Sequence, residues 1–251
     1  MSAMQFGKTD INIQNKIHTM KMTKNKLAKG FTLVELLVVI AIIAALAALS
    51  TPVVLKQQKK ASLAEAINNQ KQIGYLMKDW DNQYGTYPET VNTNDGSSIT
   101  VADANTLFRK FAEFSLVSSE EVFYAKLNFN KKPDGYTAAL TDFLKAGECG
   151  FGYITNLNGS KPARCPVTIA PLDAATGTAL DGEAFGGSAA YLCVDGSVQT
   201  GSINLSGVTF VNQGTAGAAV SVLDFTNTNI YGDVTTAPAL LSPSGVTVPT
   251  P

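Results

Sequence analysis

The sequence predicts an α+β chain: a long N-terminal helix, transmembrane in its first half, packed through its second half on a C-terminal antiparallel β-rich head. Three observations lead there. Residues 31–55 are almost wholly apolar; residues 56–84 carry apolar side chains at helical spacing; beyond about residue 150 the chain turns to short alternating runs of Gly, Thr, Ser, Ala and Val. The length of 251 residues suits one domain, or one plus an appendage. Only 16% of residues are charged, well under the usual ~25%, which argues against a disordered polyampholyte.

The near-zero net charge of −1 hides a division. Residues 1–30 hold six Lys and one Asp, whereas residues 31–251 hold 13 basic and 19 acidic residues. After Arg164 there is no Lys or Arg. A nucleic-acid binder would carry its basic residues on the folded body, so no nucleic-acid partner is expected. The one histidine, His18, lies in the basic leader. Chemistry that needs a His base or His metal ligand in the body is thereby excluded. Gly-rich phosphate loops and metal-ligand spacings are missing too, so neither an enzyme nor a cofactor is expected.

Residues 31–55 contain fifteen large apolar side chains, five Ala and one charge, Glu35. At ~1.5 Å per residue a helix of that length spans ~37 Å, enough for a ~30 Å hydrocarbon layer. A buried carboxylate costs ~3 kcal/mol at mid-bilayer and less near the end of a span, where Glu35 lies. Fifteen apolar side chains at roughly −0.3 to −0.6 kcal/mol each outweigh it. Lys21, Lys24, Lys26 and Lys29 favour a cytoplasmic N-terminus; Lys56, Lys59 and Lys60 beyond the span make that bias modest.

An ordinary signal peptide is cut after its apolar core. Here the break lies before it, at Lys29-Gly30 followed by Phe31. Gly30-Phe31-Thr32-Leu33-Val34-Glu35 resembles the prepilin signature of type IV pilins and type II secretion pseudopilins. The resemblance covers roughly residues 24–60 and implies a pilin-like fold. It implies cleavage between Gly30 and Phe31 by prepilin peptidase, and N-methylation of Phe31. It also implies an assembly role for Glu35, the fifth residue after the cut, and a helix-perturbing role for Pro52. The implied partners are prepilin peptidase, copies of the chain and other pilins in a filament, an inner-membrane assembly platform, and the bilayer before assembly. Physical chemistry agrees with these roles. Gly30 lets a peptidase approach the bond closely. Glu35 in apolar surroundings seeks a cation, which the Phe31 α-amine of a neighbouring subunit could supply. Pro52 removes a helical hydrogen bond and is expected to kink or locally melt the helix.

Beyond Lys56 the helix continues to Tyr84, with Leu63, Ile67, Ile73, Met77, Trp80 and Tyr84 near one face; Gly85 and Tyr87-Pro88 stop it. Residues 89–105 read as a loop with a small strand, and 106–116 and 118–127 as short helices whose aromatics belong to a core. Residues 135–144 are open between strand and helix. Residues 190–199 form the clearest hairpin, around Asp195-Gly196, with further strands near 207–212 and 219–225. In large prepilin-like proteins a His precedes such an Asp-Gly; here Phe185 holds that place, so only the hairpin is carried over. One class of pseudopilins binds calcium, but a single Asp195 is few ligands against the six to eight oxygens Ca²⁺ takes, and turn formation is the favoured role. Cys149, Cys165 and Cys193 allow one disulfide; Cys149–Cys165 closes the shortest loop, with buried thiols the alternative.

The expected organisation is a leader at 1–30, a transmembrane and filament-core half-helix at 31–55, an amphipathic half-helix at 56–84, a head at 85–234 and a flexible Ser/Thr/Pro tail at 235–251. The function these features suggest is a filament subunit in the bacterial inner membrane and then in a periplasmic or extracellular filament. A membrane-anchored extracytoplasmic binding module or minor tip subunit is the alternative.

Overall fold

The computed structural model describes residues 30–88, 90–92, 98–135, 140–157, 159–173, 177, 179–203, 210–211, 220–232 and 237–245. The chain divides into two units, residues 1–48 and 49–251. Helix α1 (Leu33–Tyr84) contributes its first sixteen residues to one and the remainder to the other. It ends where the sequence places its stop: Gly85 takes φ +70° and donates its N–H to the Asp81 carbonyl at 2.7 Å, a left-handed cap that glycine adopts without a Cβ penalty. Pro52 lies inside α1, which stays helical across it. Local melting is therefore corrected: Pro52 withdraws one N–H, and the turns on either side hold the helix together.

In the second unit α1 is followed by the hairpin β1 (Thr90–Asn92) and β2 (Ser98–Thr100), then α2 (Ala104–Glu113). Asp103 caps α2 by accepting the Thr106 N–H at 2.7 Å. The helix expected over 118–127 is a single 3-10 turn, Glu120–Phe123, capped by Ser119. Residues 135–144 are resolved in favour of helix where described, as a 3-10 turn at Leu140–Asp142.

The head is built on a five-stranded antiparallel sheet. Its strands are β3 (Gly152–Ile154), β4 (Pro166–Ala170), β5 (Ser188–Cys193), β6 (Val198–Ser202) and β9 (Leu240–Leu241), in the order β6-β5-β4-β3-β9. The short pair β7 (Phe210–Val211) and β8 (Val220–Ser221) falls where strands were expected, and α3 (Thr228–Tyr231) was not foreseen. β4 and most of β5 are buried at successive positions, because both faces of the sheet are covered. One face carries Tyr153, Val167 and Leu192 into a core with Ile73, Met77 and Trp80 of α1 and Leu107, Phe108 and Phe111 of α2. Phe108 stacks on Phe123 at 4.9 Å, and Trp80 meets Phe114 edge-on at 4.9 Å. The other face buries Ile169, Tyr191, Ile203 and Val222.

The α1 face against the sheet is only in part the one that hydrophobicity picks out: Ile73, Met77 and Trp80 lie on it as expected. Ser62, Ala66, Gln70, Ile73, Gly74, Met77 and Trp80 are buried, whereas Leu63 and Ile67 are half-buried and Tyr84 is exposed. The small residues admit the sheet closely: a Cβ on Gly74 would lie 3.0 Å from a Leu192 methyl. Gln70 Nε2 donates to the Ala190 carbonyl at 3.1 Å, fastening α1 to β5.

The flexible tail is corrected over its described part. Leu240–Leu241 pairs with β3, and Thr155 N–H donates to the Ala239 carbonyl at 2.8 Å. Ala104 N–H donates to the Ser242 carbonyl, Gly147 N–H to the Ser244 carbonyl, and Ser244 N–H to Asn105 Oδ1. Four prolines in a Ser/Thr-rich stretch suggest an unstructured chain, but an edge strand needs only one side of its backbone paired and tolerates proline beside it.

Candidate functional site

The site lies at the start of α1. Gly30, Phe31 and Thr32 precede the helix in open backbone, and Phe31 is 78% exposed. A Cβ placed on Gly30 would meet nothing within 4 Å. Among the described residues nothing requires glycine there.

Glu35 is held by its own helix. Thr32 N–H and Thr32 Oγ1 both donate to Glu35 Oε2, at 2.9 and 2.8 Å, and Glu35 N–H donates back to Thr32 Oγ1 at 3.2 Å. This is a reciprocal capping box, in which a Thr and a Glu three residues apart satisfy amides that the first helical turn leaves unpaired. The negative carboxylate also lies at the positive end of the helix dipole. Sequence reasoning gave Glu35 an intermolecular role and overlooked Thr32; the Thr-x-x-Glu spacing was the available signal. The three bonds leave Oε1 outside the box.

From Leu33 to Leu55 every Leu, Ile and Val is exposed, and α1 contains the one helix segment among the described residues long and apolar enough to cross a membrane. The best 18-residue stretch has a mean hydropathy of 2.8. A continuous apolar surface of this extent is stable only when covered by lipid or protein.

The other singled-out residues lie in the head. Asp195 Oδ1 accepts the Ser197 N–H at 2.8 Å, Gly196 takes φ +82°, and Lys78 Nζ of α1 donates to the Asp195 carbonyl at 3.0 Å. The Asp195 side chain thus closes the β5–β6 turn, the favoured role. Phe185 is buried beside Gly186 and Gly187, both at positive φ. The bridge between Cys149 and Cys165 is corrected: all three cysteines are free and buried. Cys149 Sγ donates to the Phe151 carbonyl at 3.4 Å, whereas Cys165 sits against β5, where Val194 N–H donates to its carbonyl at 2.9 Å. Loop length in sequence chose the pair, but sheet register sets Cys165 beside the Cys193–Val194 segment instead. Burial pushes all three thiols up to about 12.

A family profile, the prokaryotic N-terminal methylation motif, matches residues 25–51. No curated protein and no solved structure matches the chain. The matched residues take in the Gly30-Phe31 junction, the capping box and most of the exposed apolar segment. The chain therefore carries the N-terminal signature shared by type IV prepilins and pseudopilins, on an α+β fold of pilin-like arrangement.

Proposed function

We propose that the chain is a structural filament subunit. Prepilin peptidase cleaves it between Gly30 and Phe31 and N-methylates Phe31. Residues 31–55 hold it in the inner membrane with the N-terminus in the cytoplasm. An assembly platform then moves it into a type IV pilus or type II secretion pseudopilus, where the same segment packs against copies of itself and other pilins. In this reading residues 1–30 are the leader, 31–55 the filament core, 56–84 the half-helix that carries the head, and Pro52 a point of adjustment in α1.

One observation supports this reading above the others: the methylation motif coincides with the fully exposed apolar segment 31–55, whose single charge stands at the first turn of α1. A simple anchor needs the apolar segment but not a carboxylate there. Transfer of that segment out of water is worth on the order of 5–9 kcal/mol on insertion scales, so the carboxylate is affordable without being useful to insertion.

Intact-mass measurement of protein from its native membrane tests the proposal. The expected mass is that of a chain beginning at Phe31 and bearing one methyl group. A mature chain that retains residues 1–30, or begins after Ala48, overturns it. Gly30→Leu is expected to leave the full-length precursor inserted in the membrane. Among the described residues nothing lies within 4 Å of a Cβ at that position, so the block would arise at the peptidase.

A further inference from the structure

Three carboxylates from separate segments converge on one point of the head. Glu120 comes from the 3-10 turn, Asp134 from the loop after Pro133, and Glu148 from the turn before β3. One oxygen of each lies within 4.8 Å of the others. Two of the three are inside the protein: Glu120 is 3% exposed and Glu148 4%.

The arrangement is held from two sides. Leu144 N–H donates to Glu120 Oε1 at 2.7 Å, and the next amide, Lys145 N–H, donates to Glu148 Oε2 at 2.6 Å. Their turn is fastened to α2, where Asn105 Nδ2 donates to the Leu144 and Lys145 carbonyls and Arg109 Nε to that of Phe143. Phe123, in the aromatic core, draws the 3-10 turn and Glu120 inward.

This leaves an electrostatic deficit. Glu120 Oε2 is buried without a hydrogen-bond partner, a costly state for a carboxylate oxygen. Lys145 pairs with one member of the trio, its Nζ lying 2.8 Å from Asp134 Oδ2. Lys132 is engaged with Glu121 at 3.7 Å. Among the described residues neither Glu120 nor Glu148 has an ion-pair partner, so the negative charge of the trio is only partly compensated. Burial and the neighbouring Glu120 and Asp134 charges push the Glu148 carboxyl up.

We propose that Glu120, Asp134 and Glu148 bind one divalent cation, Ca²⁺, that ties the 3-10 turn to the loops flanking it. The donors are all hard oxygens, which disfavours zinc. Oxygens this close together can share one cation, and Ca²⁺ accepts the irregular geometry of carboxylates drawn from three segments, whereas Mg²⁺ demands a near-ideal octahedron at ~2.1 Å. Three carboxylates supply up to six oxygens, and water completes the shell. Exposed Asp134, beside a cleft of about 180 Å³ lined by Ser118, Ser119 and Gly135, gives a hydrated ion access. Binding releases the Lys145 ammonium from Asp134. The inference is independent of the filament reading, since an anchored module with this head would bind the ion equally.

The test uses the full chain in detergent micelles, stripped with EDTA and dialysed, and titrated calorimetrically with CaCl₂ or MgCl₂. One Ca²⁺ per chain is expected with Kd on the order of 10⁻⁴ M, Mg²⁺ at least tenfold weaker, and a rise in Tm with Ca²⁺. Glu120→Gln keeps the shape and the Leu144 contact. It should weaken Ca²⁺ at least tenfold, yet match or exceed the parent's Tm in EDTA because a repulsion is removed. Glu148→Gln should do the same and serves if the first variant does not fold. Asp195→Asn, at the hairpin turn, should bind Ca²⁺ like the parent. Absence of Ca²⁺ heat with identical Tm in Ca²⁺ and EDTA overturns the proposal, and would mean that one carboxyl carries a proton instead. Parent-like Ca²⁺ binding by both Gln variants overturns it equally.

Discussion

Glu35 can act in two ways, and three substitutions separate them. Within the chain it is half of a capping box with Thr32, made of bonds at 2.8, 2.9 and 3.2 Å. Between chains, in the proposed filament, it neutralises the Phe31 amine of a neighbour. Glu35→Gln keeps an acceptor oxygen for Thr32 and removes the charge. Thr32→Val removes the hydroxyl, which donates one bond and accepts another, and keeps the charge. Glu35→Leu removes both functions.

The magnitudes decide the ranking. Loss of an N-cap interaction costs about 1 kcal/mol, a factor of roughly five in local helix population. Truncating one member of a partly desolvated charge pair costs about 2–5 kcal/mol, or roughly 30- to 4,000-fold at each subunit junction. Thr32→Val should therefore reduce filament yield only slightly, whereas Glu35→Gln and Glu35→Leu should reduce it at least 30-fold, with all three abundant in the membrane. The assay is quantitative blotting of the filament fraction, as sheared surface material or cross-linked ladders, against the membrane pool. Hydrogen exchange at the first turn of α1 reports the cap separately, and Glu35→Gln should leave it protected. Parent levels of filament from Glu35→Gln would refute the charge pairing. A ranking in which Thr32→Val is as damaging as Glu35→Leu would assign Glu35 to the cap alone.

Two further outcomes follow from the head. Non-reducing peptide mapping should recover Cys149, Cys165 and Cys193 unlinked; because their folded pKa values lie above the ordinary thiol value of ~8.5, the stability they contribute is complete below that pH and declines as pH rises from about 9 towards 12, so the urea midpoint in detergent should fall over that range. Deleting residues 235–251 removes β9 together with three backbone–backbone hydrogen bonds and the Ser244 N–H bond to Asn105 Oδ1, each worth about 1 kcal/mol, so the head should lose at least ~4 kcal/mol and become protease-sensitive, whereas a dispensable tail would leave Tm unchanged.

The elements legible in the sequence are those governed by a local signal. The apolar run from Phe31, the Gly85 stop and the Asp195-Gly196 turn each depend on a few adjacent residues, and each is where the sequence placed it. The Cys149–Cys165 pairing, and the unstructured reading of the tail over residues 237–245, failed because both depend on sheet register, which joins residues far apart in the chain. β9 lies beside β3 although more than 80 residues separate Tyr153 from Leu241. Nothing within Ala239-Leu240-Leu241-Ser242 distinguishes an edge strand from a loop until β3 presents its free side.

The contact face of α1 shows the same limit in energetic terms. Hydrophobic periodicity weights Leu63 and Ile67, yet the sheet rests on Ser62, Ala66, Gln70 and Gly74, where side-chain volume governs how near two backbones can come. A larger residue at 74 would meet Leu192, and the Gln70 bond to Ala190 requires that closeness. The carboxylate cluster was hidden for a related reason. Glu120, Asp134 and Glu148 are fourteen residues apart at each step, a spacing that matches no ligand motif, and they meet only because Phe123 anchors one segment and α2 holds another. The N-terminal signature is read by partners as an extended local sequence and is visible for that reason. The head's chemistry is made by the fold, so it becomes readable only once the segments are brought together.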